Sequence, residues 1–238
     1  MTNLKIYVGY DPRETVAYEV CRHSILSHTP NATIYPLNKS VLETGGWYSR
    51  SVDTLGSTEF TFTRFLVPAL TFHKGWALYI DCDMLLQTDI TELFELADDR
   101  YAVMVVKHHY IPTRDTKMDG KAQTTYPRKN WSSVMLFNCE HPANQVLTKE
   151  LVNDQSKNGA YFHRFSWLED KDIGSLHYQW NWLVGHYNSA NVEPKLIHYT
   201  TGGPWFKEYY MCPYANLWKE EYAKMVERPF LLEDTIDR

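Results

Sequence analysis

The chain has 238 residues, 44% of them hydrophobic, which is ample for one large α/β domain, and no Pro/Gly/Ser-rich linker divides it. Its formal net charge is −5, with Lys, Arg, Asp and Glu interspersed. That balance excludes a general nucleic-acid binder, which would carry a basic stripe.

Leu4–Gly9 reads as a short strand rich in β-formers, and Asp11-Pro12 turns the chain. Arg13–His28 carries Val16, Val20 and Ile25 at helical spacing, and Ala32–Leu37 reads as a second strand. A β-α-β start points to a parallel sheet with helical crossovers. Asn38–Gly56 is polar and reads as a long loop. Ser57–Leu70 reads as a helix capped by Ser57, with Pro68 a point of kinking. Trp76–Ile80 is a continuous apolar run bounded by Gly75 and Asp81, the pattern of a strand buried on both faces. Asp89 and Glu92 resemble a capping box for a helix over Ile90–Leu96. Strands are expected at Tyr101–Lys107, Ser132–Asn138 and Lys195–Tyr199, and helices at Pro142–Gln155 and Pro213–Val226. His108–Trp131 reads as a polar, basic excursion from the sheet. The whole chain, 1–238, is thus expected to be a single domain, with 207–238 a C-terminal helical segment packed on it.

Four scattered cysteines, with no Cys-x-x-Cys pair, are too few for a disulfide framework. No apolar stretch approaches ~18 residues and no signal peptide precedes the first strand, so a cytoplasmic setting is expected, with peripheral membrane association left open. Trp, Tyr and Phe are plentiful at 8, 17 and 10. Most suit the core, and some suit the faces of a sugar ring.

The chemistry concentrates after Trp76–Ile80. In extended chain Asp81 and Asp83 face the same way while Cys82 points back into the core. Open α/β sheets bind ligands beyond the carboxyl ends of their strands. Two acids there repel unless a cation lies between them, and hard divalent cations favour oxygen ligands. The bland alternative is a pair of caps for the following loop, a role Asp89 already fills. His198, near the end of the last strand, is the candidate third ligand, and an imidazole beside two carboxylates suits Mn²⁺ better than Mg²⁺. Gly202-Gly203-Pro204-Trp205 follows, a loop in which backbone N–H groups can approach an anion closely. The adjacent His108 and His109 read as acceptor-site or structural residues, since neighbours on a strand point to opposite sides.

Val8–Asp11 (VGYD), Ser57–Leu70 (STEFTFTRFLVPAL), Leu78–Leu86 (LYIDCDMLL), Ser132–Asn138 (SSVMLFN) and Ile197–Trp205 (IHYTTGGPW) occur in the order seen in family 8 glycosyltransferases, which include galactosyl- and glucosyltransferases and glycogenin. The chain resembles a compact, divergent member over residues 4–206. The resemblance implies an α/β fold of the GT-A type, with a mixed, mostly parallel central sheet flanked by helices. It implies a UDP-sugar donor, Mn²⁺ (with Mg²⁺ the second choice) held by Asp81, Asp83 and His198, and hexose transfer to a carbohydrate or glycoconjugate acceptor with retention. Under it Arg64 contacts the donor, Val8, Gly9, Tyr10 and Asp11 border base and ribose, and Cys82, Gly202, Gly203, Trp205 and Lys207 complete the donor site. The family's Lys in the loop after the histidine is replaced by Gly203, so a phosphate contact falls to another cation, with Lys207 the candidate. Gln179 would lie under the sugar ring, although the acid that precedes it in the family is Tyr178 here.

An inverting enzyme would need a carboxylate base, for which Asp170 and Asp172 are the candidates, whereas a retaining one can use the leaving phosphate. Rival readings are weaker. A haloacid-dehalogenase-like phosphatase opens its domain with Asp-x-Asp, but here two βα units precede Asp81. A sugar-phosphate nucleotidyltransferase needs a Gly-rich basic loop that VGYDPRE lacks. A carbohydrate-binding module without catalysis would use the aromatics alone.

Overall fold

The computed structural model describes residues 4–51, 58–108, 127–188 and 192–227. The cap expected from Ser57, most of the His108–Trp131 excursion including His109, and the tail beyond 227 lie outside the described residues.

Strand β1 (Lys5–Tyr10) leads through a 3₁₀ turn at Pro12–Glu14 into α1 (Thr15–His28), and β2 (Thr33–Asn38) follows. Asn38 accepts from the backbone N–H of Ser40 and Val41 and so starts α2 (Lys39–Thr44) where a loop was expected. The helix expected over Ser57–Leu70 is instead a 3₁₀ turn, Thr63–Leu66, and one α-turn, α3 (Val67–Leu70). Pro68 lacks an N–H and its ring opposes the carbonyl of Arg64, so no continuous helix crosses that point. Strand β3 (Trp76–Ile80) has the expected bounds and is buried from Ala77 onward. Strand β4 (Met84–Leu86), unforeseen, comes next, then α4 (Thr91–Phe94). Only half of the expected capping box forms. Asp89 accepts from the Thr91 N–H at 2.9 Å, while Glu92 turns to Thr88 and Lys195.

Strands β5 (Val103–Val105) and β6 (Val134–Asn138) are fully buried and shorter than expected. The helix expected over Pro142–Gln155 breaks at Leu147 into a 3₁₀ turn and α5 (Lys149–Asn153), because Thr148 caps a new start through the Leu151 N–H. Then come α6 (Gly159–His163), β7 (Ile173–Ser175), a 3₁₀ turn at Tyr178–Asn181, β8 (Trp182–Leu183), β9 (Leu196–His198) and α7 (Ala215–Glu227).

Among the described residues six strands form a mixed, mostly parallel sheet in the order β2-β1-β3-β6-β5-β7, with β6 antiparallel to its neighbours. A second sheet, β4-β9-β8, packs β4 on α1. The first connection steps from β1 to β2 and the next returns to β3 on the other side of β1. The carboxyl ends of β1 and β3 therefore flank a topological switch point, the place where open α/β sheets hold ligands. Helix α7 closes the second sheet. Its Trp218 ring lies 5.4 Å from Trp205, and its Glu221 meets His23 of α1 at 2.6 Å, both side chains being buried.

Candidate active site

The β3 strand delivers Asp81 to the switch point, and its last backbone bond there runs from the Asp81 N–H to the Ser133 carbonyl at 3.0 Å. The chain then bends rather than continuing extended, Cys82 is buried in the core, and β4 starts at Met84. Pairing of Met84 with His198 across the antiparallel β4–β9 ladder sets the histidine beside the two acids. One ligand atom from each of Asp81, Asp83 and His198 lies within 4.8 Å of the others. His198 Nε2 is 3.3 Å from Asp83 Oδ2. Two carboxylate oxygens and one imidazole nitrogen converging at that spacing fit a divalent cation such as Mn²⁺.

The second layer was not foreseen in its details. Asn181 donates its amide N–H to Ser133 Oγ at 2.8 Å and to the Asn130 carbonyl at 3.2 Å, which fixes the amide orientation. Its Oδ1 therefore faces His198 Nδ1 at 2.8 Å as the acceptor. With Nδ1 donating to Asn181, Nε2 is the nitrogen turned toward Asp83, the orientation a metal ligand needs. Asn181 is reached through the 3₁₀ turn before β8, seventeen residues from His198. Only the QWNWL segment hinted at it.

Asp81 is held from the other side. Tyr79 donates its hydroxyl to Asp81 Oδ1 at 2.6 Å, and Arg64 Nη1 stands 2.8 Å from the same oxygen. Burial pushes the Asp81 carboxyl up, Arg64 opposes this, and the Asp83 charge adds to it. Arg64 also donates to the carbonyls of Phe60 and Ser132, at 3.1 and 2.9 Å, and stacks 4.9 Å above Tyr79. Its side chain is only 7% exposed, so it faces Asp81 from the inside rather than standing out toward a ligand. Close to Asp83 lies Glu14, 2% exposed. Burial, with the charges of Asp83 and Asp11, pushes its carboxyl up to about 8.

Other residues singled out from the sequence fall as follows. Val8 and Cys82 are core side chains, able to offer a ligand only backbone. Tyr10 is half-buried at the mouth, whereas Asp11 is fully buried and caps the following turn. The Gly202 N–H is spent on the Tyr199 carbonyl. The two glycines also make room for neighbouring rings. A Cβ on Gly203 would lie 1.9 Å from the Trp205 ring, and one on Gly202, at φ +135°, 2.5 Å from the Tyr209 ring. They let aromatic rings close over the loop. Lys207 is exposed in a 3₁₀ turn. Asp170 is 90% exposed and pairs with Arg128. Gln179 is half-buried, its carbonyl bonded to the Lys195 N–H. His108 binds the Tyr187 hydroxyl through Nδ1, and burial drops it to about 3, with His198 adding to the shift.

A mostly parallel mixed sheet with an Asp-x-Asp pair at its switch point is the arrangement of the GT-A fold, and solved structures agree on that fold. The glycosyltransferase GlyE of Streptococcus pneumoniae TIGR4 matches with a TM-score of 0.63 at 18% identity, over 93% of this chain and 60% of GlyE. The chain thus spans about 60% of the length of GlyE. The galactosyltransferase LgtC, crystallised with donor and acceptor sugar analogs, matches with a TM-score of 0.57 at 11% identity, over 95% of this chain and 98% of LgtC. The description Glycosyl transferase family 8 fits residues 3–208, and the chain belongs to that family. Protein CDI of Arabidopsis thaliana is 50% identical over 228 residues, 92% of this chain and 87% of that protein. No described helix is long and apolar enough to cross a membrane.

Proposed function

We propose that this glycosyltransferase moves a hexose from a UDP-sugar to a carbohydrate or glycoconjugate acceptor in a Mn²⁺-dependent reaction that retains anomeric configuration. The observation that carries the metal and the donor is the convergence of Asp81, Asp83 and His198 within 4.8 Å at the end of β3. Mn²⁺ bound there would supply Lewis-acid neutralisation of the charge that develops on a departing diphosphate. The chain's own part is to present the ligands already aimed. Asn181 fixes the His198 tautomer, and Arg64 with Tyr79 fixes Asp81. Arg64 acts in this reading by positioning Asp81 rather than by touching the donor. In this reading Trp205 and the Gly202-Gly203 turn, which follow β9 in the chain, belong to the donor site, with Lys207 the nearby cation in sequence for phosphate. Retention is supported by the family and needs no protein base, so Asp170, exposed and paired with Arg128, is left as an inverting candidate only. Gln179 is assigned to the donor-sugar side on the family resemblance.

Calorimetry of UDP with and without Mn²⁺, on the wild type and on Asp83→Ala, tests the reading. UDP binding that requires Mn²⁺ and is lost in the variant is expected. Binding indifferent to both would overturn it, and sugar binding alone would point to a carbohydrate-binding module.

A further inference from the structure

Strand β6 runs against its neighbours β3 and β5, with Val134 opposite Ile80 of β3. The turn that leads into β6 therefore lies beside the outgoing end of β3, where Asp81 stands. That turn, residues 130–133, contains the 3₁₀ segment Trp131–Ser133 and is buried at Ser132 and Ser133. Three lines of hydrogen bonds leave it for the metal ligands. The Ser133 carbonyl accepts from the Asp81 N–H at 3.0 Å, which extends the β3–β6 ladder past its last paired residue. The Ser132 carbonyl accepts from Arg64 Nη1 at 2.9 Å, and the same nitrogen is 2.8 Å from Asp81 Oδ1. Ser133 Oγ and the Asn130 carbonyl accept from the Asn181 amide at 2.8 and 3.2 Å, and Asn181 Oδ1 meets His198 Nδ1 at 2.8 Å. The Asp81 backbone, the Asp81 carboxylate and the His198 ring are thus all held from one four-residue turn.

The turn is itself braced from several sides. Ser133 Oγ donates to the Asn130 carbonyl at 2.7 Å. Trp131 donates its backbone N–H to the Arg128 carbonyl at 3.2 Å and its Nε1–H to the His108 carbonyl at 3.1 Å. Ser132 Oγ lies 2.7 Å from His163 Nδ1 of α6. The backbone here is strained. Arg128 and Asn130 have φ of +60° and +63°, the left-handed region in which a Cβ crowds the chain. Asn tolerates that region better than most residues, and a β-branched residue tolerates it poorly. Two such residues within three positions persist because the surrounding bonds over-determine them, a pattern that clusters where the backbone has something to position.

We infer that residues 130–133 are the positioning turn of the metal centre, and that Asn130 and Ser133 are positioning residues that set Asp81 and His198 relative to one another. A residue that braces one ligand shifts that ligand alone, whereas a change in this turn shifts both. The inference rests on the metal reading above. Its test is Mn²⁺ titration, followed by the electron paramagnetic resonance signal of the free ion, on the wild type, Ser133→Ala, Asn130→Val, Asn130→Gly and Thr148→Ala, with a melting temperature for each. Ser133→Ala removes an acceptor of the Asn181 amide and a donor to the Asn130 carbonyl. Asn130→Val puts a β-branched residue at left-handed φ, a conformation that Gly adopts freely. Thr148→Ala deletes the cap of α5 and so lowers stability away from the turn.

Ser133→Ala and Asn130→Val are expected to raise the Mn²⁺ Kd about tenfold, the lower end of what losing an outer partner costs a metal site. Asn130→Gly and Thr148→Ala should stay within about twofold of the wild type, Thr148→Ala despite its lowered melting temperature. Circular dichroism identifies a disruptive variant that fails to fold, and the other then decides. A native Kd in whichever of the two folds overturns the inference and leaves the metal reading standing. An equal loss in Thr148→Ala overturns it too, because the effect would then follow stability and not the turn. A loss in Asn130→Gly as large as in Asn130→Val overturns the part given to the left-handed backbone. Wild type that binds no Mn²⁺ removes the metal reading and this inference together.

Discussion

Replacing Asn181 by Ala tests whether the tautomer of His198 matters to the site. The substitution removes the acceptor 2.8 Å from His198 Nδ1 and the donor to Ser133 Oγ, both in a buried setting. The imidazole is then free to place its proton on either nitrogen and to rotate, so its Nε2 lone pair is no longer pre-aimed. Losing such an outer partner lowers metal affinity by about 10–100-fold, or about 1.4–2.8 kcal/mol. Each broken hydrogen bond also costs about 1 kcal/mol of fold stability. Asn181→Asp is the informative companion, because a carboxylate still accepts from Nδ1–H and the Ser133 hydroxyl can turn from the Asn130 carbonyl to donate to it, at the expense of that carbonyl's bonds. Mn²⁺ titration followed by the electron paramagnetic resonance signal of the free ion should give a weakened Kd for the Ala variant and a near-native one for the Asp variant. Equal, native Kd values for both variants, with native circular dichroism, would refute the reasoning.

Arg64→Met should destabilise the fold by about 3–5 kcal/mol in denaturant titration, because Asp81 loses its buried counter-ion and the Phe60 and Ser132 carbonyls lose their donor. Adding Asp81→Asn should recover much of that loss. Gly203→Ala should displace Trp205, whose ring occupies the space of the new Cβ, at a cost of about 1–3 kcal/mol, together with a shift in tryptophan emission. For Glu221, burial alone would raise the carboxyl, but hydrogen bonds from His23, Ser27 and Lys224 outweigh it and hold it below its ordinary 4.5. A depressed acid contributes stability above its unfolded value and loses it as pH falls through the folded one. Melting curves of Glu221→Gln should accordingly trail the wild type at neutral pH and converge with it below 4.5.

The strands that build the platform were legible because each is a local statement. An apolar run such as Trp76–Ile80 between Gly75 and Asp81 needs no knowledge of its neighbours to be read as buried on both faces, and β3 has those bounds. The acid pair at its end, and His198 near the end of a late strand, were legible for the same reason. Helices were read too long wherever a proline or a competing cap interrupts them. Pro68 and Thr148 act within a single turn, and apolar periodicity runs straight past them.

What only the tertiary structure decided are pairings between distant segments. The β4–β9 ladder brings Asp83 to His198, Asn181 reaches His198 from the turn before β8, and Arg64 turns inward to Asp81. Asp11 has the sequence of an exposed strand-end acid and proves to be wholly consumed by Arg13 and Glu59. The sequence alone determined which residue types could bind a cation and on which strands they stand. Which of them face the ligand and which hold the others in place depends on hydrogen-bond partners many residues away, and that geometry exists only once both sheets and α1 have packed together.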